Sequence, residues 1–178
     1  MIIRPIQKEE MSWSLDFVYE VFKATNYTDG HLERRLVEEI RQEAYYIPEL
    51  DMVAEEDGHI IGHFILSKFP IIGQHVNEML LLSPVSVAID KQRQGIGLEM
   101  LKQGLERAKA MGYKGAIVEG NPKFYGHLGF RTSTEFGIYA SEKNLPPKEE
   151  YLMAMPLCEN GLEQIKGEVD YSIYKTLT

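Results

Sequence analysis

Ser86-Val87-Ala88-Ile89-Asp90-Lys91-Gln92-Arg93-Gln94-Gly95-Ile96-Gly97 is the stretch on which the reading of this chain turns. An apolar strand runs into a short polar turn, and two glycines then open a helix. A helix start carries unpaired N–H groups and the positive end of the backbone dipole, so this layout builds an anion site from main chain alone. A phosphorylated ligand is therefore the first expectation. A Walker-type loop would need lysine and a hydroxyl residue after its last glycine, where Leu98 and Glu99 stand. A dinucleotide fingerprint would need a third glycine where Met100 stands. A glycine-rich helix start with no ligand is the plain alternative.

Around this turn the periodicities define a fold. Downstream, residues 96–111 read as a helix with Leu98, Leu101, Leu105 and Ala108 on its buried face and Gly112 as its stop. Upstream, residues 80–89 form a long β-type run interrupted by Pro84, which predicts a bulge or an edge position. Two strand-like runs flank Asp57-Gly58, a strong hairpin signal. Ile2-Ile3-Arg4-Pro5-Ile6 reads as a first strand. An amphipathic helix follows over 12–24, with Leu15, Val18 and Phe22 inward and Ser12 as a possible cap. The next helix has Leu32, Leu36 and Ile40 on its inner face and Glu33, Arg34, Glu38 and Glu39 on its outer face. Past the glycine turn, 115–119 reads as a buried strand and 122–128 as a short helix begun by Pro122 and ended by Gly129. Further strands are predicted near 130–139 and 151–157. The alternating tail at 169–174 would add an edge strand, closing the sheet or pairing across a homodimer. The order βααβββαβαβ predicts an α/β chain, one mixed sheet flanked by helices, as a single domain over 1–178.

Composition narrows the classes. With 44% hydrophobic and 26% charged residues the chain suits an ordinary globular protein. It has no apolar run long enough to span a bilayer and no secretory layout at its start, so a cytoplasmic protein without a membrane partner is expected. A single cysteine, Cys158, excludes an internal disulfide and a cysteine zinc site. The formal charge of -8 argues against nucleic acid as a partner. It suits a cationic substrate such as an amine, or simply keeps the chain in solution.

Two motifs carry a family resemblance. Gln92-Arg93-Gln94-Gly95-Ile96-Gly97 fits a Gln/Arg-x-x-Gly-x-Gly/Ala turn. The block Glu119-Gly120-Asn121-Pro122-Lys123-Phe124-Tyr125-Gly126-His127-Leu128-Gly129-Phe130 fits a strand and short helix ending Phe-Tyr-x-x-Leu-Gly-Phe. In this order they resemble the signatures of the GCN5-related N-acetyltransferase (GNAT) superfamily. Leu82-Ser83-Pro84-Val85-Ser86-Val87, Tyr151-Leu152-Met153-Ala154-Met155 and Gly167-Glu168-Val169-Asp170-Tyr171 are similar to its YhbS-like branch. The resemblance runs from the first strand to the tail and is strongest over 80–131. Phe124 stands where that branch often has a second tyrosine, and His127-Leu128 where it has Arg-Phe.

The resemblance implies the acyl-CoA N-acyltransferase fold, a single mixed and mostly antiparallel sheet flanked by helices. It implies acetyl-CoA as co-substrate, no metal, and direct transfer to a small-molecule or peptide amine in a ternary complex. The fourth strand would part from the fifth, and the pantetheine would lie in the gap. The cofactor set carried over is Val87, Ala88, Ile89, Gln92, Arg93, Gln94, Gly95, Ile96, Gly97, Leu98, Asn121 and Tyr125. Gln94 to Leu98 would wrap the pyrophosphate, and an N–H near Val87 would face the developing oxyanion. Tyr125 would protonate the departing thiolate; its other reading is an aromatic packed beside Phe124 and Phe130. Asn121 would contact the cofactor or serve as an Asn-Pro turn residue.

A base for the incoming amine would be Glu78 or Glu119, each of which reads first as a solvated or structural carboxylate, or water. His63 and His75 have no partner at metal-ligand spacing. The acceptor pocket would draw on the first two helices, the loop at 69–78 and the late strands, with Trp13, Tyr27, Tyr45 and Tyr46 as candidate walls. The rival of another class is a GNAT-like module that binds acetyl-CoA without turnover.

Overall fold

A computed structural model describes the chain except residues 26, 27, 72, 73 and 170. Its main sheet has seven strands in the order β1-β2-β3-β4-β5-β8-β6. These are β1 (Ile2–Pro5), β2 (Asp51–Glu56), β3 (His59–Lys68), β4 (Met79–Val87), β5 (Gly115–Glu119), β6 (Arg131–Thr132) and β8 (Leu152–Pro156). Only β4 and β5 pair in parallel; the other neighbours are antiparallel. Helices α1 (Met11–Thr25) and α2 (His31–Gln42) cover one face, and α3 (Ile96–Ala110) covers the other. A short helix, α4 (Pro122–Tyr125), follows β5. Among the described residues no helix is long and apolar enough to cross a membrane.

The central strands read as unbroken apolar runs because both of their faces are covered. Leu80 and Leu82 of β4, with Ala116 and Val118 of β5, join the core under α3. Met79, Leu81 and Ile117 join the opposite core under α1 and α2. Asp57 (φ 51°) and Gly58 (φ 77°) make the tight turn between β2 and β3, as their sequence predicts.

Pro84 marks the place where the sheet opens. The β3–β4 register shifts between Phe64↔Val85 and Leu66↔Leu82, so Ser83 and Pro84 together face Ile65 alone. That is a β-bulge, and a bulged strand bends. On the other side, β4 pairs with β5 only through Met79↔Gly115, Leu80↔Ala116 and Leu81↔Ile117. Leu82 to Val87 have no strand partner on that side among the described residues, while β5 stays paired with β8 along its other edge. The expected parting of β4 from β5 thus begins at the bulge.

A buried polar network fixes the helices to the sheet. Asp51 and His63 are fully buried, 2.8 Å apart. Arg41 reaches Asp51 at 2.8 Å and donates to the Met11 carbonyl and the Ser14 hydroxyl of α1, while the Tyr46 hydroxyl donates to Asp51 at 3.0 Å. Burial pushes the Asp51 carboxyl up, but the hydrogen bonds and charges of His63 and Arg41 outweigh it and hold the group at about 2. His63 and Tyr46 are therefore structural.

Several local expectations need correction. Ser12 does not cap α1; it lies inside the helix, behind a turn at Lys8–Glu10 where the Gln7 amide donates to Glu10 at 2.8 Å. Leu98 is only half-buried, and the inner face of α3 is instead Ile96, Met100, Leu101, Gly104, Leu105 and Ala108. The strand expected near 130–139 is two, β6 and β7 (Ile138–Ala140), separated by a 3-10 turn at Ser133–Phe136. β7 leaves the main sheet and pairs in parallel with β9 (Gly167–Val169) as a two-stranded ribbon. The tail at 171–174 is not a strand: a 3-10 turn puts Tyr171 and Tyr174, three residues apart, into the core. Asp170 of that tail lies outside the described residues.

Candidate active site

The opened edge of β4 is flanked by two cavities. The first, of about 500 Å³, lies against the α3 start and is walled by Val85 to Val87, the glycine turn, Phe124 and Tyr125. The second, of about 590 Å³, is walled by β4 from Leu81 to Val85, the start of α2, Glu119, Tyr171 and the loop at Lys143 to Leu145. Phe22, Val85 and Tyr125 line both, so the two spaces meet at those side chains.

Backbone makes the first cavity. Ala88 N–H donates to Ile61 at 2.8 Å, and Gly62↔Val87 is the next pair in register. Antiparallel pairing alternates, so the Val87 and Val85 main-chain groups turn away from β3 toward the opened side. The Gln92 side chain donates to the Val87 carbonyl and the Gln94 side chain to the Asp90 carbonyl, both at 3.0 Å, which ties the loop down. Arg93 (φ 62°) and Gly95 (φ 82°) give it left-handed corners.

The two motif glycines serve different ends. A Cβ on Gly95 would meet nothing within 4 Å, so its role is conformational. A Cβ on Gly97 would come within 3.1 Å of the Phe124 ring and 3.6 Å of Val87, so its role is space. Gly95 caps α3, leaving the first-turn amides that follow without partners inside the helix. Arg93, an exposed residue, lines the cavity and has no ion pair among the described residues.

Seven of the expected cofactor residues line this cavity: Val87, Gln92, Arg93, Gly95, Gly97, Leu98 and Tyr125. Five do not. Ala88 is committed to β3, Ile89 is 58% exposed, the Gln94 side chain is bound within the loop, and Ile96 is buried in the core. Asn121 is exposed and caps α4 by accepting the Lys123 amide at 3.0 Å. Sequence reasoning missed the wall supplied by Val21, Phe22 and Thr25 of α1, which carries no motif.

α4 holds Tyr125 at the junction of the cavities. Its ring meets Phe124 and Phe130 edge-on at centroid distances of 4.9 and 5.9 Å. A Cβ at position 120 would fall 2.5 Å from the same ring, so Gly120 is what lets the tyrosine lie there. Burial pushes the Tyr125 phenol up to about 12, which keeps its proton in place at neutral pH. Tyr125 thus both packs against these two rings and lines the two cavities.

The two carboxylate candidates separate cleanly. Glu78 sits at the start of β4, the far end from the junction, bound by Lys114 and by His75 at 2.6 Å. Hydrogen bonds from Lys114 and His75 hold its carboxyl below the usual range. It is an anchoring residue, and so is His75. Glu119 ends β5 and lines the second cavity with Tyr125. Burial pushes its carboxyl above the usual range, against a 3.4 Å hydrogen bond from Tyr171. The residue is exposed as a whole, but its carboxylate looks into the cavity.

The aromatic walls expected for this cavity lie elsewhere. Trp13 is 44% exposed and stacks on Phe17, Tyr45 donates to Glu39, and Tyr46 belongs to the Asp51 network. Tyr27 lies outside the described residues. Glu33, expected on the solvent face of α2, is 7% exposed and faces the cavity, because the first turn of α2 overhangs the opened sheet. Among the described residues no three His, Cys, Asp or Glu side chains gather as a metal-ligand set.

Comparison with known proteins fits this geometry. The model of the acetyltransferase (GNAT) domain matches residues 2–133. An uncharacterised N-acetyltransferase of Escherichia coli, YhbS, is 24% identical over 144 residues, covering 80% of this chain and 83% of the relative. The crystal structure of YhbS in complex with CoA superposes with a TM-score of 0.79 at 21% identity, over 96% of this chain and 88% of that one. A GNAT family acetyltransferase from Brucella melitensis, solved with acetyl-CoA, gives 0.76 at 24% identity, over 96% and 94%. These superpositions establish a shared fold. The domain match spans well over half of the sequence, and the chain belongs to the GNAT acetyltransferase family.

Proposed function

We propose that the protein transfers the acetyl group of acetyl-CoA to a primary amine by direct attack, with both substrates bound at once. The observation that carries this reading is the pair of cavities that share Phe22, Val85 and Tyr125 as their common wall. The first cavity suits the donor. Its free helix-start amides and Arg93, which has no ion pair among the described residues, match a pyrophosphate, Gly97 lets Phe124 pack close to the helix start, and the free edge of β4 suits the amides of pantetheine. The second cavity, with its carboxylates and apolar walls, suits the amine.

In this reading the amine approaches the thioester from the side of Glu119. Glu119, directly or through water, takes a proton from the incoming ammonium. The free amine then attacks the carbonyl, and the Val87 N–H faces the oxygen on which charge develops. The new C–N bond forms as the C–S bond breaks, the thiolate takes a proton from Tyr125, the second proton shed by the new amide nitrogen restores the tyrosine directly or through water, and the amide and free CoA leave. A phenol at about 12 is a weaker acid than a thiol at ~8.5, so the transfer by itself runs uphill and is driven by coupling to the proton that the new amide nitrogen gives up.

The test is release of the CoA thiol from acetyl-CoA across a panel of primary amines, with the acetylated amine identified by mass spectrometry. Amine-dependent release is expected. Tight acetyl-CoA binding with no release for any amine would contradict transfer and favour a binding module.

A further inference from the structure

One carboxylate stands apart from the rest of the molecule. Among the described residues every other buried or half-buried carboxylate except Glu119, which has the Tyr171 hydroxyl, meets a cation or backbone amides. Asp51 has Arg41, Glu55 has Arg4, Glu56 has Lys91, and Glu39 accepts the Lys175 and Thr176 amides. Glu33 is 7% exposed and has only the Thr28 hydroxyl, which donates to its Oε2 at 2.8 Å. Its Oε1 has no hydrogen-bond partner among the described residues and is not sealed from the cavity.

Burying an ion without a counter-charge is costly. The start of α2 offsets part of that cost, since Glu33 lies in its first turn. Lys143 also lines the cavity, yet it is exposed on a loop and pairs with neither Glu33 nor Glu119. Leu36, Leu81 and Leu82 line the same cavity. The cavity thus offers two carboxylates from different elements together with apolar side chains.

We infer that the acceptor is an amine bearing a second cationic group, which docks on Glu33 while the reacting amine lies between Glu119 and Tyr125. This rests on the transferase reading above for the role of the junction, but the charge match at Glu33 is a property of binding and can be read without turnover. A monoamine would leave Glu33 unpaired and gain only the apolar contact. A diamine would replace water at a nine-tenths-buried carboxylate with a charge-assisted hydrogen bond.

The experiment compares diaminobutane, diaminohexane and diaminooctane, each against the monoamine of the same chain length, by kcat/KM for thiol release. The best diamine is expected to exceed its monoamine by about tenfold or more, and that ratio is expected to fall toward unity in Glu33→Gln. Glutamine can still accept the Thr28 hydrogen bond, which spares the helix start. Equal turnover of diamines and monoamines by the wild-type protein overturns the inference and needs no variant. So does a diamine preference that survives in Glu33→Gln. If no amine releases thiol, the transferase reading fails by itself, and calorimetric titration of the CoA complex with diaminohexane still decides. Tighter binding by wild type than by Glu33→Gln supports the inference, and equal binding overturns it.

Discussion

The two cavities that meet at Tyr125 are made in different ways. Within the side-chain walls of the first cavity, the polar groups offered to a ligand come mainly from main chain: a free strand edge, a helix start, and two glycines, of which one supplies a left-handed corner and the other lets Phe124 pack close. The acceptor side is built from side chains brought in by α1, α2, the β4 bulge, the end of β5, a loop and the tail. Backbone sites constrain few residue types, and those strictly, so they leave a compact signature in the sequence. Side-chain sites spread their requirements over the whole chain and leave none. The difference explains why a ligand for the first cavity can be proposed from motifs while one for the second must be argued from charge.

The sharpest way to break this division is to fill the space at Gly97. Gly97→Glu would press against Phe124 and set a carboxylate where the reading puts a pyrophosphate. Like charges in contact cost several kcal/mol, so CoA affinity should fall by about 1000-fold in a calorimetric titration, with the circular dichroism of the fold retained. Unchanged affinity would move the phosphate site elsewhere.

Next comes the shared wall. Tyr125→Phe should lower kcat by roughly 100-fold while CoA affinity stays within about twofold, because only the proton donor is lost. Equal losses in both would make Tyr125 a packing residue of the donor side.

Glu119→Gln touches the acceptor side alone and should lower kcat/KM by roughly 10- to 100-fold near neutral pH. A base works unprotonated. Since burial raises the Glu119 carboxyl, wild-type kcat/KM should fall as pH drops through a value above the ordinary carboxylate range, and the variant should lose that limb. Tyr125 at about 12 keeps its proton, so no descending limb from it is expected up to about pH 10.

Smallest for either cavity, though large for the fold, is Asp51→Asn. It leaves Arg41 buried without its partner and should cost about 3–5 kcal/mol in chemical denaturation while CoA affinity holds. The folded Asp51 carboxyl lies below its unfolded value. Its stabilisation is therefore present above the unfolded pKa near ~3.9 and is lost as pH falls toward about 2.

How much of this was legible follows the same division. The hairpin at Asp57-Gly58, the helix beginning at Ile96 and the bulge at Pro84 were readable because each rests on a local backbone constraint. Pro84 was the most telling, since it marks both the bend in β4 and the start of the opening that both cavities use. The tail misled because Val169, Tyr171 and Ile173 alternate as in a strand, whereas the core takes Tyr171 and Tyr174 from a 3-10 turn. Glu33 misled for a related reason: a glutamate on a polar helical face reads as solvated unless that face overhangs a gap. Glu78 and Glu119 each flank a central strand, and only the sheet's opening tells one end from the other.

The most direct test of the central claim is a crystal structure with acetyl-CoA bound. The account predicts the pyrophosphate on the amides that follow Gly95, the pantetheine along β4 between Leu82 and Val87, and the thioester sulfur within about 3–3.5 Å of the Tyr125 hydroxyl, with the carbonyl open toward Glu119. A cofactor seated away from the opened edge of β4, or a sulfur on the far side of the sheet from Tyr125, would contradict it.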